Sequence, residues 1–126
     1  MEEIKTKLAP QAIGPYSQAI VASNLIFCSG QIALDAETGE VVDGGIVEQT
    51  RQVLKNLSAI LKEAGSSLQE VVKTEVFLAQ MSDFTVMNQI YSESFNTKPY
   101  PARFAVEVAR LPKDVLIEIG CVAYKK

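Results

Sequence analysis

One domain built on a β-sheet, with two helices covering a single face of that sheet, is the architecture the sequence predicts. Three observations carry the prediction. Strand-patterned runs occupy both ends of the chain, and two stretches with helical spacing lie between them. The 126 residues hold no internal repeat, low-complexity tract or linker, so no domain boundary is expected within 1–126. That length suffices for one domain with a real core and is short for two.

The elements follow in order. A short strand is expected at Ile4 to Lys7. Tyr16 to Ala22 and Leu25 to Ile32 read as two strands around a tight Ser23-Asn24 turn. Asp35 to Gly45 is loop, marked by Thr38-Gly39 and Gly44-Gly45. From Ile46 to Ala64, the residues Ile46, Val53, Leu54, Leu57, Ile60, Leu61 and Ala64 keep helical spacing, and Gly65 supplies a stop. The β-branched run Val71 to Leu78 is a strand. Ser82 or Asp83 can cap a second helix through Phe95, with Phe84, Met87, Tyr91 and Phe95 along one side. Asn96 to Pro101 is a loop with two prolines, and the runs PARFAVEV and VLIEIGCVAY close the chain as strands. Two amphipathic helices can cover only one face of so wide a sheet. The other face is solvated or covered by another subunit, and its apolar residues favour a subunit.

The last two strands carry Arg103 and Glu118 among apolar neighbours, and charges are seldom placed there without a partner or a task. Alternation puts Phe104, Val106 and Val108 on one face and Arg103, Ala105 and Glu107 on the other. Likewise Ile117, Ile119, Cys121 and Ala123 share a face opposite Glu118 and Gly120. An antiparallel hairpin closed between Val108 and Val115 would set Glu118 against Ala105 and Arg103 against Gly120. The two charges would then be diagonal neighbours about 7 Å apart, over a hollow left by two small residues. Two readings fit each charge. Arg103 is either a planar fork for a ligand carboxylate or half of an ion pair with Glu118 or Glu107. Glu118 is either an acid or base toward water or the other half of that pair. Asn88 fits a polar contact to a pocket or a solvated helix face. Tyr16, after Gly14-Pro15, is either a packed turn residue or a ring and hydroxyl aimed at a defined point. Gly30, inside a strand, marks a bulge or a close approach by a ligand to the backbone.

Composition narrows the chemistry. Histidine is absent, which removes the commonest general base, the Ser-His-Asp and Cys-His arrangements, and most zinc sites. Cys28 and Cys121 fit no metal or redox spacing and read as buried reduced thiols. The net charge of −3 and the lack of a basic cluster beyond Lys125-Lys126 weigh against a nucleic-acid partner. No apolar run approaches the roughly 18 residues that span a membrane. The charged start MEEIKTKLAP lacks the apolar core of a signal peptide, so a cytosolic location is expected.

The segments GPYSQA at Gly14 to Ala19, SGQI at Ser29 to Ile32, TGEV at Thr38 to Val41 and the block PARFAVEVARLPKDVLIEI resemble the RidA family, also called YjgF. The resemblance runs from about Leu8 to the C-terminus. It implies an α+β, chorismate-mutase-like fold: a mixed sheet with two helices on one face, assembled as a homotrimer around a central barrel, with a pocket at each subunit interface. It implies deamination of 2-aminoacrylate, 2-iminopropanoate and 2-iminobutanoate to 2-keto acids and ammonia, on small 2-imino acid substrates, with no metal and no organic cofactor. Carried over by residue, Arg103 clamps the substrate carboxylate, Glu118 activates water and Tyr16 closes the pocket. Ser29, Gly30, Asn88 and the position of Ala105 contact substrate. Two residues depart from the family pattern. Ala105 stands where many members carry cysteine, and Gly120 where many carry a second glutamate. A regulatory module that binds small carboxylates without turnover is the alternative, with an RNA-cleaving translation inhibitor a third, which the charge and the missing histidine disfavour.

Overall fold

The computed structural model describes residues 1–126 and shows an α+β fold, a mixed six-stranded sheet carrying two helices on one face. The strands are β1 (Glu2–Ile4), β2 (Ala19–Ala22), β3 (Leu25–Gln31), β4 (Val71–Leu78), β5 (Ala102–Glu107) and β6 (Ile117–Tyr124). The helices are α1 (Ile46–Glu63) and α2 (Phe84–Ser94). The sheet runs in the order β1-β2-β3-β6-β4-β5, antiparallel throughout except for β4 beside β5. That pair is parallel because α2 carries the chain back over the sheet between the two strands, as a parallel connection requires.

Both helices form where apolar spacing predicts them. Val53, Leu54, Leu57, Ile60 and Leu61 of α1 are buried, and Gly65 ends the helix in a left-handed conformation with φ of 80°. At its start the Glu48 carboxylate accepts from the Gly45 N–H at 2.8 Å. The side-chain cap expected for α2 is absent. A 3-10 turn over Met81–Asp83 leads straight into the helix, which leaves Asp83 in helical conformation and its side chain unused as a cap. Beneath the helices lie the inward residues of the sheet, among them Ile26, Val76, Leu78, Ile117, Ile119 and Ala123. No helix is long and apolar enough to cross a membrane.

Two boundaries and one pairing differ from expectation. The first strand lies at Glu2–Ile4 rather than Ile4 to Lys7, and the second begins at Ala19 rather than Tyr16. The buried Gln18 accounts for both. Its side chain accepts from Thr6 N–H at 2.7 Å and donates to Pro10 C=O at 2.8 Å, holding the intervening chain off the sheet. More consequential, β5 and β6 form no hairpin, since β4 lies between them. Arg103 therefore stands level with Thr74, which stands level with Cys121, while Glu118 stands level with Phe77. Residues level across a sheet share a face. Arg103 consequently lies on the helix face and Glu118 on the open one. The expected pairing of Arg103 with Gly120 and of Glu118 with Ala105 does not occur, nor does one hollow in this chain hold both charges.

Candidate functional site: two clefts

The two charges head two separate clefts. The first, about 600 Å³, lies along α2 and the start of β5 and is lined by Asn88, Tyr91, Phe95, Tyr100 and Arg103 among others. Arg103 is held there by neutral groups. Its Nη1 donates to Asn88 Oδ1 at 2.7 Å, and its guanidinium carbon lies 4.8 Å from the Tyr91 ring centre and 5.5 Å from that of Phe84. The ion pairs of the chain are Arg51–Glu93, Arg110–Asp114, Lys125–Glu2 and Lys126–Glu70, so Arg103 has no carboxylate partner. Glu107, one alternative partner, accepts instead from Met81 N–H at 2.7 Å. The ion-pair reading of Arg103 is thus not the one the fold adopts. Ala105 shares the face of Arg103 but packs against the core and lines neither cleft.

The second cleft, about 370 Å³, opens on the other face and is lined by Tyr16, Gln18, Gly30, Lys113 and Glu118 among others. Burial pushes the Glu118 carboxyl above its ordinary value, and no cation or donor offsets it. Gly30 sits where β3 slips register against β6 between Cys28 and Gln31, and a Cβ added to it would run into the Glu118 carboxylate. The bulge expected at that glycine is present, and its bare backbone leaves room for the Glu118 side chain. Tyr16 is aimed by the backbone. Gly14 has φ of 134°, and Tyr16 N–H donates to Gly14 C=O at 2.9 Å, a tight γ-turn over Pro15. Ser29 lines neither cleft. Its hydroxyl donates to Ser17 C=O at 2.6 Å and its N–H to Gln18 C=O at 3.0 Å, so it ties the Tyr16 segment to β3.

The collision at Gly30 yields a prediction. The obstructing atom is the far end of a flexible side chain, so Gly30→Ala should fold with little change in thermal midpoint while displacing the Glu118 carboxylate. For the water-activating role that the resemblance implies for Glu118, a misplacement of about 1 Å costs on the order of 10²-fold in rate. Steady-state kinetics beside a melting curve checks both halves.

Other features escaped the sequence reading. The hydroxyls of Thr74 and Tyr91 meet at 2.8 Å, a contact between β4 and α2 that the spacing of neither run announces. Lys113, which lines the second cleft, has φ of 56° in a left-handed pair with Asp114. Gly120 is level with Glu75, whose Oε1 would lie 3.6 Å from a Cβ at Gly120. Cys28 and Cys121, remote in sequence, are level with one another on β3 and β6, and both are free thiols. The neighbouring Cys28 and burial push the Cys121 thiol up. No group of three or more histidine, cysteine, aspartate or glutamate side chains is placed to hold a metal ion.

Comparison with known proteins places these clefts in context. The family model described as Endoribonuclease L-PSP matches residues 6–125. A RutC family protein of Pyrococcus abyssi is 58% identical over 125 residues, covering 99% of this chain and 98% of that protein. The human 2-iminobutanoate/2-iminopropanoate deaminase is 49% identical over 120 residues, covering 95% of this chain and 87% of its own. Among solved structures, E. coli TdcF with bound serine superposes with a TM-score of 0.94 at 39% identity, each chain covered in full (100%).

Proposed function

We propose an activity from one premise: this chain belongs to the RidA (YjgF) family. It hydrolyses reactive 2-imino acids, 2-iminopropanoate and 2-iminobutanoate, and through the imine tautomer the enamine 2-aminoacrylate. Water adds across C=N, and the carbinolamine loses ammonia to leave the 2-keto acid. The observation that carries the reading is the guanidinium of Arg103, held in one place without an anion of its own. A fixed fork with an open valence for charge suits a small carboxylate. Serine, bound by the similar E. coli protein, carries such a carboxylate, and the human relative bears the name of this activity.

Because the clefts open on opposite faces, the reading requires two copies. One contributes Arg103 and Asn88, and its neighbour contributes Glu118, Tyr16 and Gly30. Two features support this. Strand β5, which carries Arg103, is a free sheet edge. The open face exposes Phe27, Phe104 and Val106, an apolar surface suited to a partner. A homotrimer with three such junctions is the assembly the family resemblance implied.

In this site Arg103 holds the carboxylate and sets the imine carbon before the carboxylate of Glu118. Glu118 takes a proton from water as the oxygen attacks, then returns it to the departing amine. A carboxyl raised above its ordinary value is better matched to both steps near neutral pH. Tyr16 covers the substrate. The reaction needs no cofactor, since an imine carbon is already electrophilic and orientation supplies much of the remainder.

The test is a coupled one. A pyridoxal-phosphate-dependent threonine dehydratase generates 2-iminobutanoate while semicarbazide competes for the free imine. The protein should raise the rate of 2-oxobutanoate formation and lower semicarbazone in proportion; no change in either rate rejects the activity. The RNA-cleaving reading draws on the family description alone, and the net charge of −3 offers RNA no basic footprint.

A further inference from the structure

We propose that Tyr91, locked by Thr74, is a positioning residue for the guanidinium of Arg103, a role that rests on the carboxylate clamp proposed above. Thr74 is fully buried in β4 directly beside Arg103 in register, and its hydroxyl meets the Tyr91 hydroxyl at 2.8 Å. That bond fixes the tyrosine ring in the plane on which the guanidinium lies, 4.8 Å from ring centre to carbon. Phe95 backs the ring at 4.4 Å between centres, so it has little freedom to slide. Asn88, one helical turn before Tyr91 on α2, takes one N–H of Nη1 on its Oδ1.

None of these supports carries charge, and this is the point of the arrangement. An arginine at a surface cleft has many rotamers and loses that freedom when it grips a ligand. A carboxylate partner would hold it but would also neutralise the charge that the ligand needs. An aromatic face and an amide oxygen hold it while leaving the charge whole and several N–H groups free. The Tyr91 phenol is pushed up by burial and stays neutral beside the cation. The Thr74 hydroxyl thereby acts at a distance, through the ring, on a group it does not touch.

The experiment measures binding of 2-oxobutanoate by calorimetry to the full-length protein, together with KM and kcat for imine hydrolysis. Thr74→Val and Tyr91→Phe each break the hydroxyl bond and should weaken binding about 3- to 10-fold, raising KM by the same factor with kcat little changed. Thr74→Ser keeps the hydroxyl and should restore wild-type binding. The double variant should be no worse than either single one, because both remove the same bond. Lowered melting temperatures with unchanged dissociation constants would show the bond to be structural only and overturn the inference. Asn88→Asp adds an anion beside Nη1 without changing side-chain shape; unchanged binding there would overturn the claim that neutrality matters. Wild-type protein that binds 2-oxobutanoate without speeding hydrolysis rejects the proposed activity alone. Binding that survives Arg103→Ala rejects the clamp and this inference with it.

Discussion

Arg103→Ala is expected to lower kcat/KM for 2-iminobutanoate by about 10²- to 10³-fold, the result of removing roughly 3–4 kcal/mol of charge-assisted binding from a cleft that holds no second cation. Asn88, Tyr91, Phe95 and Tyr100 cannot replace it, being neutral. The fold should tolerate the change, since Arg103 is exposed and forms no ion pair. Arg103→Lys separates charge from shape. It keeps the cation but loses both the planar fork and the stack on Tyr91, so it should recover only part of the activity. A melting curve near wild type beside a collapsed kcat/KM is the expected pair of measurements; full activity in the alanine variant rejects the clamp.

The second large effect concerns Glu118. Glu118→Gln keeps shape and polarity but cannot carry a proton between water and the amine. A fall in kcat of about 10²- to 10⁴-fold is expected, with KM and 2-oxobutanoate binding largely preserved. Stability should move the other way. The folded carboxyl is held above its ordinary value of 4.5, so the native state keeps its proton to higher pH than the unfolded chain does. The resulting penalty is absent below about pH 4.5, grows as pH rises through the raised value, and is complete above it. Glu118→Gln removes it, so the variant should melt at least as high as wild type at pH 7, with the difference vanishing near pH 4. A less stable variant at pH 7 would mean that the carboxylate has a partner and that burial is not its main influence. A residue that weakens the fold it sits in is expected where function sets its environment.

Much of this was legible in the sequence because it rests on local periodicity. The burial of Val53, Leu54, Leu57, Ile60 and Leu61 follows from helical spacing, and the two faces of β5 and β6 follow from alternation. Gly30 and Gly14 announced unusual backbone, and both supply it. The relation between strands was not local and was misread. Consecutive strands pair more often than not, which favoured a hairpin between β5 and β6. Yet the residues between Val108 and Val115 are long enough to pass beyond a strand, and α2 had already forced β5 parallel to β4. With β4 inserted, faces correctly assigned within each strand were combined wrongly between them. The Thr74–Tyr91 bond was not legible either, since it joins β4 to α2 and no local periodicity sets a threonine hydroxyl against a tyrosine hydroxyl. The β3–β6 pairing that sets Cys28 level with Cys121 is likewise a relation between distant strands. Placing Arg103 and Glu118 on opposite faces would defeat a site within one chain, and it is the reason the activity is proposed between chains.

That last point is open to direct measurement. Arg103→Ala and Glu118→Gln protein, each inactive alone, are unfolded together in equal amounts and refolded, or produced together in one cell. In a junction between copies, an intact site needs Arg103 from a Glu118→Gln chain and Glu118 from an Arg103→Ala chain. Random mixing in a closed ring makes about one quarter of junctions intact. The account predicts recovery of about a quarter of wild-type activity in the mixture. A mixture shown to exchange subunits, yet as inactive as its two components, would contradict it.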